Sequence, residues 1–290
     1  MHIPYNIFGL DIPYDELIKI NSQDYTVQEN KCNDISSILS MINNGNEVSD
    51  SALQKVMAHV AELNITMDEA LAINILSETS SFIQEYIRNG NVDNAIDNVY
   101  RTLQRKLQTR ATAHTKISKT VELLTQLDYE QPIETLIRYA WDKIDRYIPD
   151  STSKVSVFEA IKELHWCYNI EKICNNLLAV TQRMQNQKAR IVYRGERKPP
   201  KNGVIHGSGI MSTSATLKES FAKYDEYGYV YTLFVPEGVH CMDISTLSGY
   251  SDTEKEILFP PCTIHILHQE HQDDKLMIYG LVQDAHKENE

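Results

Sequence analysis

The sequence predicts an α+β protein, with an N-terminal all-helical region followed by a strand-rich half that folds as a split antiparallel β-sandwich. Three observations carry that expectation. From about Asp34 to Gln187 apolar residues recur at helical spacing. From Arg190 they fall instead in short runs, at 190–194, 209–213, 229–235, 239–244, 256–259, 262–268 and 275–282. Turn-forming residues separate those runs: Pro199-Pro200, Asn202-Gly203, Pro236-Glu237-Gly238, Gly249 and Asp273-Asp274. Helices first and strands second make an α+β order, not alternating βαβ units.

In the helical half, Asp34 reads as the cap of a helix carrying Ile35, Ile38, Leu39 and Ile42 on one face before Gly45. Thr66 and Glu69 form a capping box. It opens a helix through Ala70, Ile73, Leu76, Phe82, Ile83 and Ile87 that stops at Gly90. Further helices are expected over 92–108, 110–127 and 131–147. Pro149 and the Asp-Ser-Thr-Ser run that follows break the pattern, and a long amphipathic helix then runs to about Gln187. That last helix lies at the boundary, and its spacing assigns it to neither half.

Composition excludes several classes of function. Of 290 residues, 42% are hydrophobic and 23% charged, as in an ordinary globular protein. A net charge of −12 argues against tracking nucleic-acid phosphates or an anionic membrane, both of which need clustered Lys and Arg. Cys32, Cys167, Cys174, Cys241 and Cys262 are odd in number and scattered, so neither a disulfide framework nor a zinc site is expected and a reducing environment is favoured. The opening Met-His-Ile-Pro-Tyr-Asn lacks the basic and apolar blocks of a cleaved secretion signal. Gly203, Gly207 and Gly209 match neither the Rossmann nor the P-loop spacing. His265, His268 and His271 recur every third residue, but odd spacing in a strand puts neighbours on opposite faces, so no metal site is expected there.

Three stretches of the strand-rich half stand out in order. Tyr193-Arg194-Gly195 ends one predicted strand, Ser212-Thr213-Ser214 ends another, and Glu254-Lys255-Glu256 opens the apolar run Ile257-Leu258-Phe259. In a strand, Glu254 and Glu256 project to one side about 7 Å apart along the backbone. Two carboxylates on one face are costly unless cations or hydroxyls meet them. Taken singly, each stretch also reads as a surface cation, an ordinary strand edge or a solvated face; their order and spacing give them weight.

This ordered set resembles the arginine-specific mono-ADP-ribosyltransferases, a family that includes bacterial binary-toxin components, injected effectors and vertebrate ecto-enzymes. The resemblance covers roughly residues 155–285 and extends to Gly249-Tyr250-Ser251-Asp252 and Leu258-Phe259-Pro260. It implies an ADP-ribosyltransferase core at 151–290, a helical domain of unassigned role at 1–150, and NAD as a substrate with no metal. Glu256 is the implied catalytic carboxylate, stabilising an oxocarbenium-like ribose, with Ser212 fixing its rotamer. Arg194 offers a fork for the NAD pyrophosphate, and Gly195 lets backbone approach the nicotinamide amide. Thr213 and Ser214 complete that segment. Glu254 and Tyr250 are expected to receive the acceptor guanidinium.

The chain departs from the family's pattern in two places. Ile210 stands where relatives carry an aromatic residue. The segment after Ser214 is short, leaving Lys218 and Lys223 for the phosphates and Phe221 or Tyr224 to stack on nicotinamide. The implied partner is a host protein bearing an arginine, with no nucleic-acid or membrane partner. The implied setting is the host cytoplasm, reached by a specialised secretion machine; otherwise the chain acts in the cytoplasm of its own cell. Residues 1 to about 150 are expected to influence the choice of target and not the NAD chemistry. An NAD glycohydrolase and a catalytically silent binding module are the alternatives.

Overall fold

The computed structural model describes residues 29–110, 112–148, 150–197, 199, 204–206, 209–216, 228–249, 255–272 and 274–285. The helices among them are α1 (Glu29–Asn43), α2 (Asp50–Glu62), α3 (Met67–Asn74), α4 (Leu76–Asn89), α5 (Asp93–Thr109), α6 (His114–Thr125), α7 (Ile133–Ile144), α8 (Ser151–Tyr168) and α9 (Ile170–Arg183). The strands are β1 (Arg190–Glu196), β2 (Val204–His206), β3 (Met211–Ser214), β4 (Tyr229–Val235), β5 (Met242–Asp243), β6 (Glu256–Phe259), β7 (Cys262–Gln272) and β8 (Lys275–Asp284). The α+β order is therefore as expected. The chain divides into two compact units, Ile38–Asn176 and the rest of the described chain.

Local chemistry explains most boundaries. The Thr66 hydroxyl accepts from the Glu69 N–H at 3.2 Å while Glu69 Oε2 accepts from the Thr66 N–H at 2.8 Å, so the capping box is complete. Gly90 ends α4 in the left-handed region at φ 70°, where a side chain is strained. Asp150 caps α8 by accepting from the Ser153 N–H at 2.7 Å.

Three helical expectations need correction. Helix α1 begins at Glu29, so Asp34 lies inside it and not at its start. The helix expected from Thr66 to Gly90 is broken at Ile75, and the long one expected to Gln187 is broken at Asn169. There the Asn169 amide donates to the carbonyls of Tyr129 at 2.8 Å and His165 at 2.9 Å, so a side chain takes over from the helical ladder.

The strands hydrogen-bond in the order β2-β7-β8-β4-β1-β3-β6-β5. Each of the seven predicted runs contains a strand, and β2 is additional. Neighbours are antiparallel except β4 and β8, which run parallel and make the sheet mixed. No local turn joins that pair, so adjacent sequence does not set its direction. Gly280 sits where β8 is hemmed in: a methyl there would meet Ile264 Cγ2 at 2.8 Å and Leu233 Cδ2 at 3.1 Å. The core of the sheet includes Val192, Leu233, Ile257, Phe259, Ile278 and Val282, all fully buried. That of the helical unit is built on Leu107, Leu124, Ala140, Ile144, Val157, Ile161 and Leu164.

Candidate active site

Glu256 is the first residue of β6, and it is 8% exposed in a strand whose other three residues are completely buried. Strand β3 lies beside it, with Ser214 directly opposite Glu256 and Ser212 opposite Leu258. Period-two alternation puts Ser212 on the same face as Ser214, one diagonal step from the carboxylate. The Ser212 hydroxyl reaches across that diagonal and donates to Glu256 Oε1. Ser248 donates its hydroxyl to Oε2 at 3.1 Å. Both carboxylate oxygens are thus held by hydroxyl donors in a buried setting, where such bonds are strong and costly to lose.

A compact turn carries Ser248 to this position. Strand β5 pairs with β6, placing Asp243 opposite Ile257. Asp243 Oδ1 accepts from the backbone N–H of Ser245 at 3.1 Å and from its hydroxyl at 2.6 Å, an Asx-type start to a turn. The Ile244 carbonyl then accepts from Leu247 and Ser248, each at 2.9 Å. Leu247 is fully buried and anchors the turn.

Arg194 lies on β1, which pairs with β3 on one side and β4 on the other. Its Nη1 donates to the Ser212 carbonyl at 2.7 Å, fastening the backbone of the residue whose hydroxyl holds Glu256. Its Nε and Nη2 both reach Glu196 Oε1 at 2.7 Å. Tyr231 stands opposite Arg194 on β4. Burial first, then the Glu196 charge, pushes the Tyr231 phenol up to about 12.

The remaining expected residues divide into three groups. Gly195 is half-buried and in register with Val230. Thr213 turns inward and donates to the Ile257 carbonyl at 3.0 Å, and Ser214 donates to the Thr216 carbonyl at 3.0 Å, so neither hydroxyl converges on Glu256. Phe221, Lys223, Tyr250 and Glu254, with Lys218 and Tyr224, lie outside the described residues. Two further residues join the site, Glu196 and Ser248. Glu196 is two residues from Arg194 and so on its face of the strand, a pairing the spacing does contain. Ser248 is visible only through the turn that Asp243 starts.

The histidines of β7 need a correction. A register shift between Ile266 and His268 sets His265 opposite Leu281 and His268 opposite Tyr279, so both face the same side despite their odd spacing. His268 packs against the Tyr279 ring, with centroids 5.8 Å apart. Among the described residues no cluster of three or more His, Cys, Asp or Glu could hold a metal ion. None of their helices is long and apolar enough to cross a membrane.

No family model matches the chain, and no curated protein does. Solved structures do align with it. The structure of C3stau2 from S. aureus with NAD matches at 12% identity and a TM-score of 0.41, covering 83% of this chain and 98% of that one. C3larvin toxin, an ADP-ribosyltransferase from Paenibacillus larvae, matches at 19% identity and 0.31, covering 40% and 78%. Exoenzyme S from Pseudomonas aeruginosa, in complex with human 14-3-3 protein beta and bound to carba-NAD, matches at 15% and 0.29, covering 64% and 88%. At such scores these likenesses carry no weight for activity.

Proposed function

We propose that the chain is an NAD-dependent mono-ADP-ribosyltransferase that modifies an arginine of a host protein and releases nicotinamide. The observation that supports this most is the buried Glu256 carboxylate, held through one oxygen by Ser212 and through the other by Ser248. NAD enters as substrate. The bond between ribose C1′ and the nicotinamide nitrogen breaks, its electron pair leaves with the ring, and positive charge develops on the ribose, as in glycoside cleavage. A carboxylate fixed before the reaction stabilises that charge without having to reorganise. Glu256 supplies it, and the two serines hold it in one orientation.

Arg194 offers its fork to the pyrophosphate. Glu196 meets the same guanidinium edge, so the pyrophosphate would have to displace it. Gly195, Thr213 and Ser214 contribute backbone around the nicotinamide, and Phe221 and Lys223 flank the nucleotide. The acceptor guanidinium stacks on Tyr250 and pairs with Glu254. Its nitrogen bonds to C1′ and gives its proton to Glu254, which overcomes the poor nucleophilicity of a protonated arginine. Residues 151–290 form the catalytic domain and 1–150 the helical region. The reaction takes place in the host cytoplasm after specialised secretion, without metal, nucleic acid or membrane.

The test combines labelled NAD, host-cell extract and the full chain. Label should reach protein, and mass spectrometry should place it on arginine. The Glu254→Gln variant should lose protein labelling while keeping much of its nicotinamide release. Label on serine, threonine, asparagine or cysteine would overturn the acceptor assignment. Nicotinamide release without protein label would make the chain a glycohydrolase, and no NAD turnover at all would make it a binding module.

A further inference from the structure

Glu256 is also connected to the beginning of the chain. The Ser36 hydroxyl on α1 donates to the Ser248 carbonyl at 2.6 Å, across 212 residues of sequence. Ser248 in turn donates its own hydroxyl to Glu256 Oε2. Ser36, Ser248 and Glu256 are 4%, 3% and 8% exposed. By its contacts the segment ending at Ser37 belongs with the strand-rich unit, so the link lies within one compact body.

Two of the bonds that fasten the turn presenting Ser248 lie at its ends. Asp243 ties its start through Ser245, and Ser36 ties its end through the Ser248 carbonyl. A glutamate's terminal torsion is broad, so donors on both oxygens fix the carboxylate more firmly than a donor on one. The second hydroxyl, on Oε2, does so best while its own backbone is fixed.

We propose that Ser36 is a positioning residue for Glu256, acting through Ser248, so that α1 is part of the NAD-cleaving apparatus. The proposal rests on the reading of Glu256 as the catalytic carboxylate. It gives part of the N-terminal region a task in the chemistry, where the sequence leads one to expect only an influence on target choice.

The test uses the full chain and nicotinamide release from NAD, with Glu256→Gln as the control for the functional reading. Ser36→Ala should lower kcat about five- to tenfold, the worth of one buried hydrogen bond, while KM for NAD stays within about twofold. Ser36→Thr, which keeps the hydroxyl, should recover most of the loss. Ser248→Ala should cost at least as much as Ser36→Ala, and the double variant no more than Ser248→Ala alone, because the proposed route from Ser36 to Glu256 runs through the Ser248 hydroxyl.

The 13C resonance of the Glu256 carboxyl, assigned by its disappearance in Glu256→Gln, should move in Ser36→Ala. If Ser36→Ala loses its fold, Ser36→Cys, a weaker donor of similar size, carries the comparison. A folded Ser36 variant with wild-type kcat and an unmoved Glu256 resonance would overturn the proposal, as would additive effects in the double variant. If the wild-type chain releases no nicotinamide, the functional reading fails, and the carboxyl resonance still decides whether Ser36 places Glu256.

Discussion

Ser212 holds Glu256 across a diagonal of the β3–β6 pair, while Ser214, directly opposite Glu256, spends its hydroxyl on its own turn. The two serines should therefore differ in function although both belong to one Ser-Thr-Ser stretch. Ser212→Ala should lower kcat for nicotinamide release about tenfold, the worth of a hydrogen bond to a charged group. Ser214→Ala should change it less than about threefold, and equal losses in the two variants would refute the distinction.

Arg194 serves two neighbours, fastening the Ser212 carbonyl and facing Glu196 with its forked edge. Lysine offers a point charge and cannot do both. Arg194→Lys should weaken NAD binding about tenfold by calorimetry, in the range of lost charged hydrogen bonds. Glu196→Gln should tighten it, by up to about fivefold, because a partly exposed ion pair is worth at most about 1 kcal/mol. Unchanged affinity in both variants would place the Arg194–Glu196 pair outside the nucleotide site.

Much of the fold and part of the site are legible in the sequence. The Thr66–Glu69 box, the stop at Gly90 and the seven apolar runs are local signals, and local signals survive folding. Ile75 and Asn169 interrupt helices without Gly or Pro, and the Asn169 break depends on Tyr129, forty residues away. The parallel pairing of β4 with β8 and the bulge in β7 are likewise settled by partners distant in sequence. At the site, the order Arg194, Ser212, Glu256 could be read because all three are strand residues with chemistry of their own. Ser36 and Ser248 could not, because an ordinary serine becomes significant only through what it touches.

Gly280 marks a place where β8 admits no side chain. Gly280→Ala would press a methyl against Ile264 and Leu233. Overpacking of this kind costs about 1–3 kcal/mol. The urea midpoint should fall with little change in slope, and an unchanged midpoint would show that the strand shifts without cost.

Alkaline pH should destabilise the fold. Burial pushes the thiols of Cys167, Cys241 and Cys262 up to about 12 and that of Cys174 up to about 11. In the unfolded chain they ionise near about 8.5. Because the folded values are raised, the stability they contribute is complete below the unfolded value and is lost as pH rises toward the folded ones. The urea midpoint should be steady up to about pH 8 and fall by pH 10.5. A midpoint that held through pH 10.5 would contradict the burial of these thiols.

Whether Glu256 is the carboxylate that supports NAD cleavage is decided by nicotinamide release from Glu256→Gln beside the wild-type chain. The amide is nearly isosteric, and the serine hydroxyl that faces its NH2 group can turn to accept where it donated to the carboxylate, so the fold should stay intact while the charge facing the ribose disappears. Preorganised electrostatic stabilisation of this kind is worth about a hundredfold or more in kcat, so a loss of at least that size is expected, with little change in thermal midpoint. A folded Glu256→Gln chain that released nicotinamide within about tenfold of wild type, a barrier difference of only about 1.4 kcal/mol, would contradict it.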